Sequence, residues 1–369
     1  MTTDVASRIR RTQTAMAAAG VDGLIVSPGS DLRYLSGYAA TALERLTALV
    51  LPVAADPVIV VPGLEQAEAS RSPAALLGMA VLTHGETDDA HALAMAQLPA
   101  AARIAVDDHM WVTRLFQLQS AAPEVHWRPA GRLLSDLRMR KGSDEIASLR
   151  AAGAAIDRVH ARMAEFLRVG LTERDAARLI ATAIVEEGHV SADFVIVGSG
   201  PNSASPHHSV SDRRLERGDS VVVDIGGSTV DGYCSDSTRT YCVGTEPDPG
   251  VTAYYAILQE AQLAQCDFAR PGVTAEAVDR VGRAVIREGG YGEAFMHRTG
   301  HGIGLETHEE PYIVEGNNLV LEPGMAFSIE PGIYLSGQHG ARIEDIVVTT
   351  DDGIERLNTT SRALTVVDG

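Results

Sequence analysis

The feature that most constrains this chain is an internal repeat. GLTERDAARLIATAIVEEGH (Gly170 to His189) resembles GVTAEAVDRVGRAVIREGGY (Gly272 to Tyr291). Each copy offers a glycine, a capping threonine two residues on (Thr172, Thr274), an amphipathic helix and a terminating glycine. The correspondence continues downstream: Phe194 falls opposite Phe295, and His207 opposite His308, both at an offset of 101 residues. Two carboxylates follow in each copy, Asp224 and Asp236 in the first, Glu330 and Glu344 in the second. If the copies are related by a pseudo-two-fold axis, corresponding strands converge on one place, and one histidine and two acids arrive there from each side.

The segments carrying these acids read as strands. VVVDIGG (Val221 to Gly227) is a buried strand running into a turn, with Asp224 expected at its end, where a carboxylate needs a cation nearby. SDSTRTY (Ser235 to Tyr241) reads as the partner strand of a hairpin and brings Asp236. MAFSIEPGIY (Met325 to Tyr334) is an apolar strand interrupted by Glu330, and ARIEDIVV (Ala341 to Val348) alternates into a further strand with Glu344 and Asp345 on opposite faces. RTGHGIGLETHEEP (Arg298 to Pro311) adds His301 and His308, with glycines that permit close backbone approach. Four carboxylates gathered in one pocket repel each other, and divalent metal resolves that repulsion. Five mostly oxygen ligands suffice for two hard or borderline cations roughly 3.5–4 Å apart.

With 369 residues the chain has room for two domains and a sizeable core. Its 49 acidic against 31 basic side chains give a formal charge of -18, which repels phosphate backbones and anionic lipid, so neither nucleic acid nor a membrane surface is an expected partner. The N-terminus lacks the apolar core of a signal peptide, and the most apolar stretch, LTALVLPVAADPVIVVP, is broken by two prolines and two aspartates. A cytoplasmic protein is expected. Cys234, Cys242 and Cys266 show no zinc-ribbon spacing and read as packing residues.

Residues 1–140 alternate short apolar runs (GLIVS, TALVLPV, PVIVVP, ARIAVDD) with Ala-rich helical segments, which suggests a small α/β domain. The boundary is placed just before a helix that Ser143 would cap and along which Ile146, Leu149, Ile156, Val159, Met163 and Phe166 recur at helical spacing. Residues 141–369 then form the second domain. His84, His91, His109, His126, His160 and His189 read as surface or helix histidines, whereas His208 and His297 flank the candidate site.

Taken together, RTGHGIGLETHEEP, VVVDIGG with SDSTRT, SIEPGIY and RIED resemble the metallopeptidases with the pita-bread fold: methionyl aminopeptidases, Xaa-Pro aminopeptidases, Xaa-Pro dipeptidases (prolidases) and the metal-free creatinases. The resemblance covers residues 143–369 strongly, and GVDGLIVSPGSDLRYLSGY extends it to the N-terminal domain. It implies an α+β architecture: a pita-bread catalytic domain with a pseudo-two-fold repeat, preceded by a smaller α/β creatinase-type domain.

Position by position, the resemblance makes Asp224, Asp236, His301, Glu330 and Glu344 the ligands of two divalent ions, with Asp236 and Glu344 bridging both. Mn(II) suits the oxygen-rich set, and Co(II) or Zn(II) fits it also. His207 and His308 match the two non-ligand histidines of the site, and Glu330 the proton carrier. Arg342, two residues before Glu344, is a candidate for substrate contact or for support of a ligand. One departure stands out: Asp236 follows Asp224 by twelve residues, where the family pattern has eleven, and Asp231 in the intervening turn is a nominal rival for it.

The resemblance further implies a homodimer hydrolysing small peptides with proline after the scissile bond. A complete N-terminal domain favours Xaa-Pro peptidases over methionyl aminopeptidases, and the full ligand set argues against a creatinase or a catalytically silent binding protein. An Xaa-Pro dipeptidase is the leading expectation, with an Xaa-Pro aminopeptidase acting on longer peptides as the alternative.

Overall fold

A computed structural model describes residues 2–100 and 102–368. The chain divides into two compact units, Met1–Arg138 and Met139–Gly369.

In the first unit the four apolar runs become the strands Gly23–Val26, Ala48–Pro52, Val58–Pro62 and Arg103–Val106. Two further strands, Ala80–His84 and His126–Pro129, lie at the edges of the resulting six-stranded sheet, where weaker apolar content suffices. Gly23–Val26 pairs antiparallel with Ala48–Pro52 and parallel with Arg103–Val106, so the sheet is mixed. Ile25, Val50, Val60, Ile104 and Val106 form its core with Ala90, Ala94 and Leu118 from covering helices.

The second unit shows the repeat as a pair of matching supersecondary structures. In the first half, helix Glu173–Glu186 leads to the antiparallel strands Ser191–Ser199, Ser220–Ser228 and Ser237–Val243. The second half runs from helix Ala275–Glu288 to Gly300–Gly302, Glu309–Ile313, Ala326–Ile329 and Asp345–Thr349 in a five-stranded sheet closed by Ile354–Arg356. Both threonines cap as the spacing predicts, Thr172 Oγ1 accepting from the Asp175 N–H and Thr274 Oγ1 from the Ala277 N–H. Even the backbone bonds before each helix match. The Gly170 N–H donates to Leu215 O and the Gly272 N–H to Leu321 O, with both glycines at φ 90°, a conformation that disfavours a side chain.

Several local expectations differ from the structure. Helix Ser143–His160 takes Gly142 as its N-cap, and the Glu145 carboxylate accepts from the Gly142 N–H at 3.0 Å, so Ser143 is the first helical residue. The helical pattern also breaks after His160 before resuming as Met163–Phe166. His84 and His189 are buried rather than on the surface or a helix, bonded to Leu46 O and Ser235 Oγ, whereas His160 lies on a helix as expected, buried and bonded to the Tyr241 hydroxyl. All three cysteines are buried and free. Among the described residues no helix is long and apolar enough to cross a membrane.

Candidate active site

Period-two alternation explains why the acids share a pocket. In Ser220–Ser228, residues Val221, Val223 and Ile225 face a core built with Ile180 and Ile184, which turns Asp224 to the opposite face. Asp224 lies mid-strand, paired with Ile196 and Thr238, and not at a strand end as the sequence suggested. The strand continues because Gly226 and Gly227 admit neighbouring backbone: a Cβ on either would meet Ser235 O at 2.4 Å or Ser191 O at 2.3 Å. Asp236 immediately precedes strand Ser237–Val243, and the longer hairpin turn is closed by a Thr229 N–H to Tyr233 O bond. Asp231 sits in that turn, bonded to the hydroxyls of Thr229 and Ser148.

The second half supplies the remaining groups. Phe327 and Ile329 enter the core, so Ser328 and Glu330 take the other face, with Ser328 Oγ donating to Glu330 Oε1 at 3.1 Å. Glu344 immediately precedes strand Asp345–Thr349; its N–H donates to Thr238 O at 3.1 Å, tying the two sheets together at the site. His301 lies on Gly300–Gly302, a segment pressed so closely on its neighbours that a Cβ at Gly302 would meet Glu310 O at 2.1 Å.

These side chains converge. Ligand atoms of Asp224, Asp236 and Glu344 lie within 4.8 Å of one another, and so do those of His301, Glu330 and Glu344, and of Asp236, His301 and His308. His301 Nε2 is 3.3 Å from Glu330 Oε1 and 3.6 Å from Asp236 Oδ2. Burial pushes the Asp236 carboxyl well up, reinforced by the charges of Glu344, Asp224 and Glu330. Glu344 is likewise pushed well up by burial and by Glu330 and Asp224. Burial lifts Glu330 to about 7 even though Arg342 opposes the shift. Burial lowers His301 to about 3, aided by His308, which keeps the imidazole neutral.

The donor set fits divalent cations. His301 Nδ1 is 3.1 Å from Gly302 O, and a carbonyl can only accept, so Nδ1 carries the proton. The Nε2 lone pair then faces carboxylate oxygens, an arrangement that is repulsive unless a cation lies among them. Asp224 Oδ1 and Glu344 Oε1 are buried with no hydrogen-bond partner among the described residues, which would be costly without such an ion.

The acids open into a cavity of about 710 Å³ that also includes Phe194, Ile196, Pro206, His207, His297, Arg298, Thr307, His308 and Arg342. His207 and His308 are both exposed in it. The His308 ring stands 4.0 Å from that of His301, and burial followed by the charge of Arg298 lowers its pKa. His297 is set behind them, with Nδ1 2.7 Å from Arg298 O and Nε2 2.9 Å from the Tyr334 hydroxyl.

Sequence reasoning named Arg342 as the one cation of the site, and the cavity is lined by a second, Arg298. Arg342 is buried, and its donors go to Asp224 Oδ2 (2.6 Å), the Tyr334 hydroxyl (2.8 Å), Thr238 Oγ1 (3.1 Å) and Pro206 O (3.2 Å). It is an anchor for Asp224. Arg298 lies over the Tyr312 ring at 4.4 Å and forms no ion pair among the described residues. Sequence reasoning missed it, although it heads the segment that carries both histidines.

Comparison with known proteins places these features. Residues 147–351 match the model of metallopeptidase family M24, and residues 8–140 match the creatinase/prolidase N-terminal domain. The chain is 54% identical to a probable dipeptidase PepE of Mycobacterium tuberculosis, over 98% of this chain and 96% of the relative. It is 36% identical to an Xaa-Pro dipeptidase of Lactobacillus helveticus, over 93% and 94% of the two chains. The crystal structure of dipeptidase PepE from Mycobacterium ulcerans superposes with a TM-score of 0.94 at 52% identity, covering 99% of this chain and 98% of that one.

Proposed function

The chain belongs to metallopeptidase family M24, and on that premise we propose that it is an Xaa-Pro dipeptidase with a dinuclear metal centre. The observation that carries this reading is one cavity holding both the ligand cluster and Arg298, a cation that forms no ion pair among the described residues. An Xaa-Pro dipeptide places a free carboxylate on its proline, and a charge-assisted bond from Arg298 would recognise it. Longer peptides lack a carboxylate at that position.

Asp224, Asp236, His301, Glu330 and Glu344 would hold two divalent ions. Mn(II) is the assignment that oxygen-rich ligation favours, and Co(II) or Zn(II) suits the same set. When bound, such ions polarise the scissile carbonyl and bring the pKa of water from 15.7 to about 7.

The chain's own groups do the rest. Glu330, held by Ser328 Oγ, takes the proton of the attacking water and delivers it to the leaving nitrogen. His308 donates to the oxygen on which charge develops, and His207 contacts the substrate backbone on the leaving side. Arg342 holds Asp224 in place. Residues 1–140 are assigned as the creatinase-like domain and 141–369 as the catalytic domain, in a cytoplasmic homodimer. A monomer in gel filtration would remove the last assignment.

The test is hydrolysis of Xaa-Pro dipeptides and Xaa-Pro-Xaa tripeptides by metal-stripped enzyme reconstituted with Mn(II), with and without chelator. Chelator-sensitive cleavage confined to dipeptides is expected. Arg298→Ala should then raise KM for the dipeptide by about 10–100-fold, the worth of one charged hydrogen bond. Equal cleavage of tripeptides would make the enzyme an aminopeptidase, and an unaltered KM in the variant would remove Arg298 as the clamp.

A further inference from the structure

The two exposed histidines of the cavity are placed by the same device. Each is followed by a residue turned inward and bonded to a buried charged side chain elsewhere in the catalytic unit. After His308, Glu309 Oε1 accepts from Lys141 Nζ at 2.6 Å, with side-chain exposures of 7% and 1%. After His207, His208 Nε2 lies 2.7 Å from Glu173 Oε2, and Glu173 has no exposed surface.

Glu173 does more than pair with His208. Its Oε1 accepts from the Ser199 N–H (2.9 Å), Ser199 Oγ (2.7 Å) and Asn202 Nδ2 (2.9 Å). Its Oε2 also accepts from the Ser211 N–H (3.0 Å) and Ser211 Oγ (2.6 Å). One carboxylate therefore gathers six donors spread over residues 199–211, the segment that contains His207. Helix capping does not require this, because Thr172 already caps the helix that Glu173 begins. The His207 imidazole itself takes part in no hydrogen bond among the described residues, so its reach into the cavity is set by the backbone that carries it.

We propose that Glu173 is a positioning residue that sets where His207 stands against the substrate, acting through His208, Asn202 and the serines. The inference rests on the reading of His207 as a substrate contact. It assigns a role in the reaction to a buried carboxylate outside the cavity lining.

A double-mutant cycle on the reconstituted full-length enzyme tests it, with kcat/KM for an Xaa-Pro dipeptide measured for wild type, His207→Ala, Glu173→Gln and the double variant. Misplacing a substrate contact by about 1 Å can lower the rate on the order of 10²-fold, so His207→Ala and Glu173→Gln are each expected to lose about tenfold or more. In the His207→Ala background, Glu173→Gln should cost no more than about twofold, because nothing remains for it to position. Ser211→Ala keeps the carboxylate and removes one hydroxyl donor; it covers the case in which Glu173→Gln fails to fold and should show a smaller loss with the same non-additivity. Additive losses would overturn the proposal while leaving His207 in its role. Full activity of His207→Ala would overturn the reading of His207 and this inference with it.

Discussion

Residues 170–243 and 272–349 follow the same course, glycine at φ 90°, capping threonine, helix and strands, yet they furnish the site with different chemistry. At the offset of 101 that aligns His207 with His308, His301 stands opposite Gly200. The first half thus contributes two aspartates, the second two glutamates and the imidazole. Asp236 and Glu344 hold the same place, one residue before a strand, and each is buried among the other acids. The anchors differ in sign: a glutamate holds the His207 loop, and a lysine from outside the repeat holds the His308 loop. The repeat fixes where chemistry is presented, and side chains within and outside it decide what is presented.

The strongest way to break this comparison is to remove the equivalent acids one at a time. Asp236→Ala and Glu344→Ala should each abolish metal occupancy and lower turnover by more than the roughly 10²–10³-fold that loss of a single oxyanion donor costs. Elemental analysis together with dipeptide hydrolysis checks it. Full activity in either variant would sink the shared role.

Next in size is the buried cation from outside the repeat that anchors the His308 loop. Lys141→Met removes the cation that Glu309 Oε1 meets at 2.6 Å inside the protein, and should lower unfolding free energy by about 3–5 kcal/mol in urea melts. A loss below about 1 kcal/mol would show that the Lys141–Glu309 pair contributes no more than a surface ion pair does.

The anionic anchor of the first half predicts a pH signature instead. Burial alone would push the Glu173 carboxyl up, but the bonds from Ser211, Asn202, His208 and Ser199 outweigh it and hold it at about 2, against an ordinary 4.5. The folded state therefore favours the ionised form. Its contribution is complete above about 4.5 and is lost as pH falls toward 2. The stability gap between wild type and Glu173→Gln should narrow across that window, and a gap independent of pH would refute the assignment.

The caps give the smallest effects. Thr172→Ala and Thr274→Ala should each cost about 1 kcal/mol. The first should cost more, because Thr172 Oγ1 also donates to Asp175 Oδ2 at 2.7 Å, whereas Ala277 occupies the matching place after Thr274. Equal losses would mean that the extra bond adds nothing net.

Much of this was legible in the chain. Strand alternation in ARIEDIVV sets Glu344 and Asp345 on opposite faces, and the repeat pairs His207 with His308. Asp224 was misplaced to a strand end because Gly226 and Gly227 read as a turn. Whether two glycines bend a strand or let another backbone approach depends on the neighbour, here Ser235 O and Ser191 O. Ser143 was read as a cap for a comparable reason, since a side chain suited to capping says nothing of where the preceding glycine leaves the backbone.

The sequence by itself determined the two-fold plan, the residue types available to the site and their order, because hydrophobic period and turn chemistry are local. Only the tertiary structure decided which charges are engaged. Arg342 meets Asp224 across 118 residues and Lys141 meets Glu309 across 168, while Arg298 forms no ion pair among the described residues. An ion pair depends on the few ångströms between side chains, and that distance is set by how the sheets pack rather than by spacing along the chain.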